Sequence, residues 1–409
     1  MLRAVATRVR SSMSLAATAA ARGSRGARVA SLGTPRAFAR PLVGGARVFA
    51  RDRSLPRSPR TPPRRGAFRV SRRVSRRFVA ATDDGAEPKP TPVASSVYAH
   101  PELYELAFGF RDFDSEAAFL ARMCRAHAGR AMRSVLELGA GPAWHSVSCV
   151  TTQGPCVAVA LDNTPAMLKR ASQRALERGC EESVAVVAGD MTRLDARALK
   201  QTAQTLVPST RQKLSDTADE ADDRSNDDSQ TFAGFDVVTV LLGTAAHLTA
   251  PEDAEACLRG AADCLAPGGI VVLELEHPYD LFDGQLMDAH GDAWDREVEN
   301  GGGLRVLVEW GREGDPFDVE TQIVERTVSV NVVDENGRPP ANGAFPPVEE
   351  VVRCRVFTAP EIALLGKLAG LTVAATFGDM DADVPLTHED ANNMVIVLRR
   401  ADDDETLRP

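Results

Sequence analysis

The 409-residue sequence predicts an α/β protein: an open, mostly parallel sheet covered by helices on both faces, with an antiparallel β excursion inserted in its second half. From residue 134 onward, short continuous apolar runs of strand length alternate with helical segments. Strands that are apolar on both faces belong to parallel sheets buried between helices. The first of these runs passes straight into a glycine-rich turn, the strand–turn–helix pattern of open α/β sheets. Residues 304–357 switch instead to the period-two alternation of antiparallel strands.

The elements follow in order. Residues 1–80 hold 20 Arg, no Lys and one acid, Asp52, among Ser, Ala and Pro. That is the composition of a transit peptide. It ends at Phe78-Val79-Ala80-Ala81, before an acidic run, a junction that resembles a stromal processing site. Residues 1–81 are therefore expected to be a transit peptide to the chloroplast, with the mitochondrion as the alternative. A basic RNA-binding arm fits less well, because the stretch starts at Met1 and stops abruptly. Residues 82–98 are Pro- and acid-rich and read as a linker to a folded domain over 99–400. A helical pattern runs from Tyr104 to Arg130, with Asp114 or Ser115 as a cap. Strands are expected at Ser134–Leu138, Val157–Leu161, Ser183–Ala188, Asp236–Leu242 and Gly269–Leu275. Thr164 caps a helix to Arg178 with Pro165 in its first turn. Pro251–Leu265 and Thr358–Ala369 are further helices, the second stopped by Gly370. Leu371–Phe377 and Met394–Arg399 close the pattern as strands. Within the domain, residues 200–231 carry seven acids and many Ser, Thr and Gln, and read as a disordered surface insertion. Leu304–Trp310, Thr321–Val333 and Val348–Phe357 are the strands of the β excursion over 304–357. Residues 401–409 form an acidic tail.

Charge excludes some partners. With the Arg-rich stretch set aside, residues 81–409 carry a net charge of −28. A body that acidic repels phosphate backbones, so no nucleic-acid partner is expected. No apolar run approaches 18 residues, so no membrane-spanning helix is expected. The seven cysteines are odd in number and form no CxxC pair, which argues against a disulfide framework or a zinc ribbon. They read as small core residues, and no metal site is expected.

Three motifs carry chemistry. In Val135-Leu-Glu137-Leu-Gly139-Ala140-Gly141-Pro142, glycines let backbone approach a ligand. In Leu161-Asp162-Asn163 an acid ends the second strand 23 residues after Gly139, where a carboxylate can accept both hydroxyls of a ribose. By itself that also fits a nicotinamide dinucleotide. In Ala188-Gly189-Asp190-Met191 another acid ends the third strand, able to accept from an adenine amino group while Met191 packs on the ring. Either acid alone could equally be a helix cap.

Taken together, their order resembles class I S-adenosylmethionine-dependent methyltransferases. The matching residues are Glu137-Leu-Gly-Ala-Gly141, Leu161-Asp162, Met167-Leu168, Gly189-Asp190-Met191, Phe235-Asp236-Val237-Val238 and Leu265-Ala-Pro-Gly-Gly269, spread over residues 100–400. The resemblance implies a Rossmann-like seven-stranded sheet, mostly parallel with the last strand antiparallel, and S-adenosyl-L-methionine as cofactor. It implies that Gly139, Ala140 and Gly141 line the amino-acid part of that cofactor and that Glu137 stabilises its amino-group side. Asp162 with Asn163 would hold the ribose, and Asp190 with Met191 would face the adenine. Tyr104, Met167 and Leu241 would complete the cofactor site.

A narrower similarity is to small-molecule methyltransferases that include amino-sugar N,N-dimethyltransferases. It rests on Tyr104-Glu-Leu-Ala-Phe108, Arg111-Asp-Phe113, Gly243-Thr-Ala-Ala-His247-Leu248 and Glu274-Leu-Glu-His277-Pro278. Where such relatives carry a second Tyr, this chain has Phe108. The similarity puts His247 at the substrate, so it is the candidate general base for methyl transfer to N or O of a small-molecule acceptor. A loop histidine bonded to backbone is the other reading of His247, and His277 is the weaker candidate. The β excursion would cover the acceptor pocket or form a homodimer interface. A protein or peptide methyltransferase, or a non-catalytic cofactor-binding module, are the alternatives.

Overall fold

Continuous apolar runs become the buried strands of the computed structural model, which describes residues 96–215, 232–277, 292–298, 301–312, 314–340, 343, 345–388 and 391–401. The expected transit peptide, most of the linker, the acidic stretch 216–231 and all but the first residue of the acidic tail lie outside the described residues. β1 (Ser134–Leu138), β2 (Val157–Asp162) and β4 (Phe235–Val240) are buried at every position. With β3 (Val184–Ala188), β5 (Leu265–Glu276), β11 (Leu371–Phe377) and β12 (Asn393–Arg400) they form a seven-stranded sheet in the order β11–β12–β5–β4–β1–β2–β3. Neighbours pair in parallel except at β12, which is antiparallel to both β5 and β11. This is the seven-stranded, mostly parallel sheet that the resemblance implies.

Alternate residues of each strand feed two cores. Leu136, Val159, Val238, Leu273 and Ile396 pack under α5 (Ala196–Ser215), α6 (Pro251–Cys264) and α7 (Ala359–Leu368). Val135, Val237, Val272 and Val397 face α2 (Phe113–Ala128) on the opposite side. α3 (Trp144–Thr152) and α4 (Pro165–Glu177) lie beside β1, β2 and β3. At the lower rim Asp236 accepts from Arg130 Nε at 2.7 Å and from Arg133 N at 2.9 Å, which ties β4 to the entry of β1. All seven cysteines are buried, and none is in a disulfide.

Several expectations are corrected. The single helix over 104–130 is two helices: α1 (Pro101–Phe108) ends at Gly109, and α2 starts afresh at Phe113. Its cap is Asp112, not Asp114 or Ser115. The Asp112 carboxylate accepts from Ser115 N at 3.1 Å, which satisfies a first-turn donor. The linker over 82–98 ends earlier than expected: Val97 opens a 3-10 turn, Val97–Ala99, and is fully buried. Residues 200–215 are helix rather than disordered insertion. All seven acids of that segment lie at Asp216 and beyond, while Leu199 and Ala203, one turn apart, bury against the sheet. An apolar stripe at helical spacing decides the conformation there.

The β excursion is a second sheet, in the order β10–β9–β7–β6, made of β6 (Asp292–Glu297), β7 (Arg305–Trp310), β9 (Ile323–Val333) and β10 (Val348–Arg355). A two-residue β8 (Phe317–Asp318) pairs with β9, and all pairings are antiparallel. β6 falls before the expected start at 304, because Asp292-Ala-Trp-Asp-Arg-Glu297 carries too little apolar alternation to read as a strand. The inner face of this sheet is rich in valine: Val308, Val324, Val328, Val330 and Val352 bury against Val97, Leu103, Ala107 and Ala246.

Candidate active site

The site begins where β1 runs out. After Leu138 the chain turns through three left-handed residues, Gly139 (φ +64°), Gly141 (φ +51°) and Ala143 (φ +59°), before entering α3. The end of β2 holds this bend. Ala140 N donates to Leu161 O at 2.9 Å. The Asp162 carboxylate accepts from Gly141 N through Oδ2 and from Thr164 N through Oδ1, both at 2.8 Å. Each oxygen keeps a second lone pair for a ligand. The two glycines have different jobs. A Cβ on Gly139 would overlap Thr244 Cγ2, so that glycine admits the loop after β4. A Cβ on Gly141 would meet nothing within 4 Å, so that glycine leaves room for something else. An open backbone cradle with a carboxylate at its edge fits a nucleoside cofactor.

The other expected cofactor residues divide. Asn163 is exposed beside Asp162. Asp190 is exposed at the end of β3, and its carboxylate accepts from Thr192 N and Thr192 Oγ1, both at 2.8 Å. The backbone bond from Thr192 leads in holding its pKa below the usual carboxylate value. Met191 packs partly buried against the core. Met167 and Leu241 are buried in the interior and present no surface to a ligand. Glu137 is engaged within the protein. Its Oε2 accepts from Ser146 N at 2.9 Å and Ser146 Oγ at 2.5 Å, and its Oε1 meets His145 Nδ1 at 3.1 Å. It braces α3 from beneath.

Across the cradle lies an aromatic column. Phe113 stacks on Trp144 at 4.7 Å, Trp144 on Tyr104 at 5.6 Å, and Tyr104 meets Tyr98 at 5.8 Å. Burial, then the Asp162 carboxylate, raises the pKa of Tyr104. The column ends at His247, in the 3-10 turn Thr244–His247, where Tyr98 Oη lies 3.0 Å from Nε2. Tyr98 was not foreseen, since it falls in the stretch read as linker. Its phenol is pushed well above its ordinary value, chiefly by burial and then by Tyr104. His247 is reached by solvent, yet the protein packed around it partly desolvates the ring and holds its pKa below the ordinary histidine value. His277 is engaged elsewhere: its Nε2 donates to Leu386 O at 2.8 Å.

No family model matches the sequence, and none of the curated proteins does. Solved structures do. An S-adenosylmethionine-dependent methyltransferase from Clostridium acetobutylicum is 13% identical, with a TM-score of 0.51 over 74% of this chain and 98% of that one. The chain has the fold of an S-adenosylmethionine-dependent methyltransferase. At that identity the likeness establishes architecture alone. An amino pentose methyltransferase from Micromonospora echinaspora is 22% identical over 72% of this chain and 96% of its own, with a TM-score of 0.46. A sugar N-methyltransferase from Streptoalloteichus is 19% identical over 79% and 99%, also at 0.46.

Beneath the cradle this methyltransferase fold buries a chain of charges that local sequence patterns do not reveal. His145 Nε2 lies 2.7 Å from Glu116 Oε2, while its other nitrogen meets Glu137. Glu116 Oε1 accepts from Arg111 Nε at 2.6 Å, and Arg111 Nη1 donates to Glu274 Oε1 at 2.7 Å. Glu274 Oε2 then accepts from Leu242 N at 2.9 Å. Burial alone would discharge His145, but the bonds to Glu116 and Glu137 outweigh it and push its pKa up to about 9. Among the described residues no cluster of three His, Cys, Asp or Glu forms a metal-binding set, and no helix is long and apolar enough to cross a membrane.

Proposed function

We propose that the protein is an S-adenosylmethionine-dependent methyltransferase acting on a nitrogen of a small-molecule amine. The observation that carries this reading is the Tyr98–His247 pair, 3.0 Å apart, at the end of the aromatic column that borders the Gly139–Gly141 cradle. The cofactor supplies an electrophilic methyl group on a sulfonium. The chain must bind the two reactants in line, exclude water and manage one proton. Gly139, Ala140, Gly141 and Asp162 are the residues to hold the cofactor, with Tyr104 against it and Asp190 at the adenine end.

An amine reaches such a site as ammonium and must lose a proton before it can attack. His247 is suited to receive it. With its own proton on Nε2, His247 donates to Tyr98 Oη, and Nδ1 keeps a free lone pair. The lowered pKa keeps the ring neutral near pH 7. The raised pKa of Tyr98 keeps its phenol protonated, so it orients the imidazole and does not compete as a base. A base this weak deprotonates an ammonium far more readily than an alcohol, which favours nitrogen over oxygen as the acceptor atom.

Binding of S-adenosylhomocysteine by titration calorimetry tests the cofactor half of the proposal. Transfer of labelled methyl from S-adenosylmethionine to a panel of small amines and matched alcohols tests the acceptor half, and methylation of the alcohols alone would refute it. The Arg-rich residues 1–81 support import into the chloroplast; a fusion of residues 1–82 to a fluorescent protein reads the compartment. Leu307 and Val351 are exposed on the outer face of the second sheet and support a homodimer through it, which sedimentation at several concentrations checks.

A further inference from the structure

Five buried ions link two loops that would otherwise be independent. Glu137 stands two residues before Gly139, and Leu242 stands five before His247. Between them run His145, Glu116, Arg111 and Glu274, joined by contacts of 2.6–3.1 Å. The side chains of His145 and Glu274 are 1% and 2% exposed, and that of Arg111 17%. Burying this many charges offers little net stability, because desolvation consumes most of the attraction. What such a chain does supply is geometry, since each ion fits only where its neighbours are. Its far end meets a backbone that needs holding: Leu242 is left-handed at φ +55°, an uncommon conformation for a leucine. It is this bend that sends the chain through Gly243 toward His247. Thr244, in the same loop, packs where a Cβ of Gly139 would be.

We propose that His145 is a positioning residue, one of the two cations of a buried ion chain that keeps the glycine bend and the His247 loop in one register. Its use in catalysis rests on the methyltransferase reading; the chain itself does not. The charged groups that face His145 are Glu116 from α2 and Glu137 from β1, with Arg111 behind Glu116. From β2, the Asp162 carboxylate is turned to the glycine bend. From α4, Arg174 lies over Trp144 and is paired with Glu105. The edge of Phe113 completes the surround. When His145 loses its proton, Glu116 and Glu137 face each other across a neutral ring. Because its folded pKa of about 9 lies above the ordinary histidine value of 6.5, the stabilisation it brings is complete below that ordinary value and is lost progressively as pH rises from there through 9.

Calorimetry with S-adenosylhomocysteine between pH 7 and 10 tests this on the wild type, His145→Gln, Glu274→Gln and the double variant. At pH 7, His145→Gln should bind roughly tenfold more weakly. Glu274→Gln bonds to no atom of the glycine bend, yet should weaken binding by about threefold or more. The double variant should lose less than the product of the two. Wild-type affinity should fall near pH 9, and His145→Gln should lack that fall. Wild-type affinity in Glu274→Gln, or a retained fall near pH 9 in His145→Gln, would overturn the proposal. Should His145→Gln not fold, Glu274→Gln alone decides, provided its unfolding temperature matches the wild type. Should the wild type not bind the probe at all, the methyltransferase reading fails. Thermal unfolding then tests the chain by itself: a wild-type midpoint that does not drop as pH rises from the ordinary histidine value of 6.5 to about 9 refutes it.

Discussion

On the cofactor side, charged groups pin the backbone: Asp162 accepts from two backbone N–H groups, and an ion chain runs beneath the bend. Around the Tyr98–His247 pair, the valine face of β6–β10 packs against Val97, Leu103, Ala107 and Ala246, with that pair as its neighbouring polar feature. The first region is over-determined, so its atoms have little choice of position. The second is held mainly by non-directional burial, which tolerates reshaping. A site divided in this way keeps one reactant constant while the other can vary.

Substitutions that separate the two regions test the contrast. The largest effect is expected at His247→Ala, where turnover should fall by roughly 10²–10⁴-fold while S-adenosylhomocysteine affinity is unchanged. The wild-type rate should decline in acid only below the ordinary histidine range, because His247 works neutral and its pKa is lowered. A matching loss of cofactor affinity would mean the sides are not separable. Asp162→Ala should come next. Two charge-assisted bonds worth about 1.5–3 kcal/mol each are lost, and calorimetry should show affinity falling about 100-fold or more. Affinity within tenfold of wild type would show that the bend holds itself. The smallest effects are expected at the glycines, and they should differ in kind. Gly139→Ala drives a methyl into Thr244 and should lower unfolding stability by about 2–3 kcal/mol in denaturant titrations. Gly141→Ala should cost only about 1–2 kcal/mol of left-handed strain but weaken S-adenosylhomocysteine binding, since its methyl enters open space. Equal stability losses at the two would remove the distinction between a glycine that admits protein and one that admits ligand.

The cofactor side was also the legible side. Asp162 sits 21 residues from Gly141, and strand, bend and acid can be read from adjacent motifs because their pairing is local and parallel. Tyr98 was not legible. It lies among Pro and acidic residues that read as a linker, and its partner is 149 residues away. Arg111 and Glu274 are separated by 163. For Glu137, nothing in its own strand says that Ser146 and His145 engage both of its oxygens. The same distance effect explains the second sheet, where hydrophobic alternation revealed β7, β9 and β10 but not β6, which depends on pairing with β7.

The second sheet leaves the main one after β5 and returns just before α7. At its departure Arg326 Nη2 grips Glu276 at 2.6 Å; at its return Gln322 Nε2 donates to Val356 O at 3.1 Å. The second sheet is thus a cassette, stapled at both mouths and carried by a platform whose own strands never pass through it. A foreign insert grafted between His277 and Phe357 should therefore redirect which molecule is methylated and leave nucleoside recognition intact.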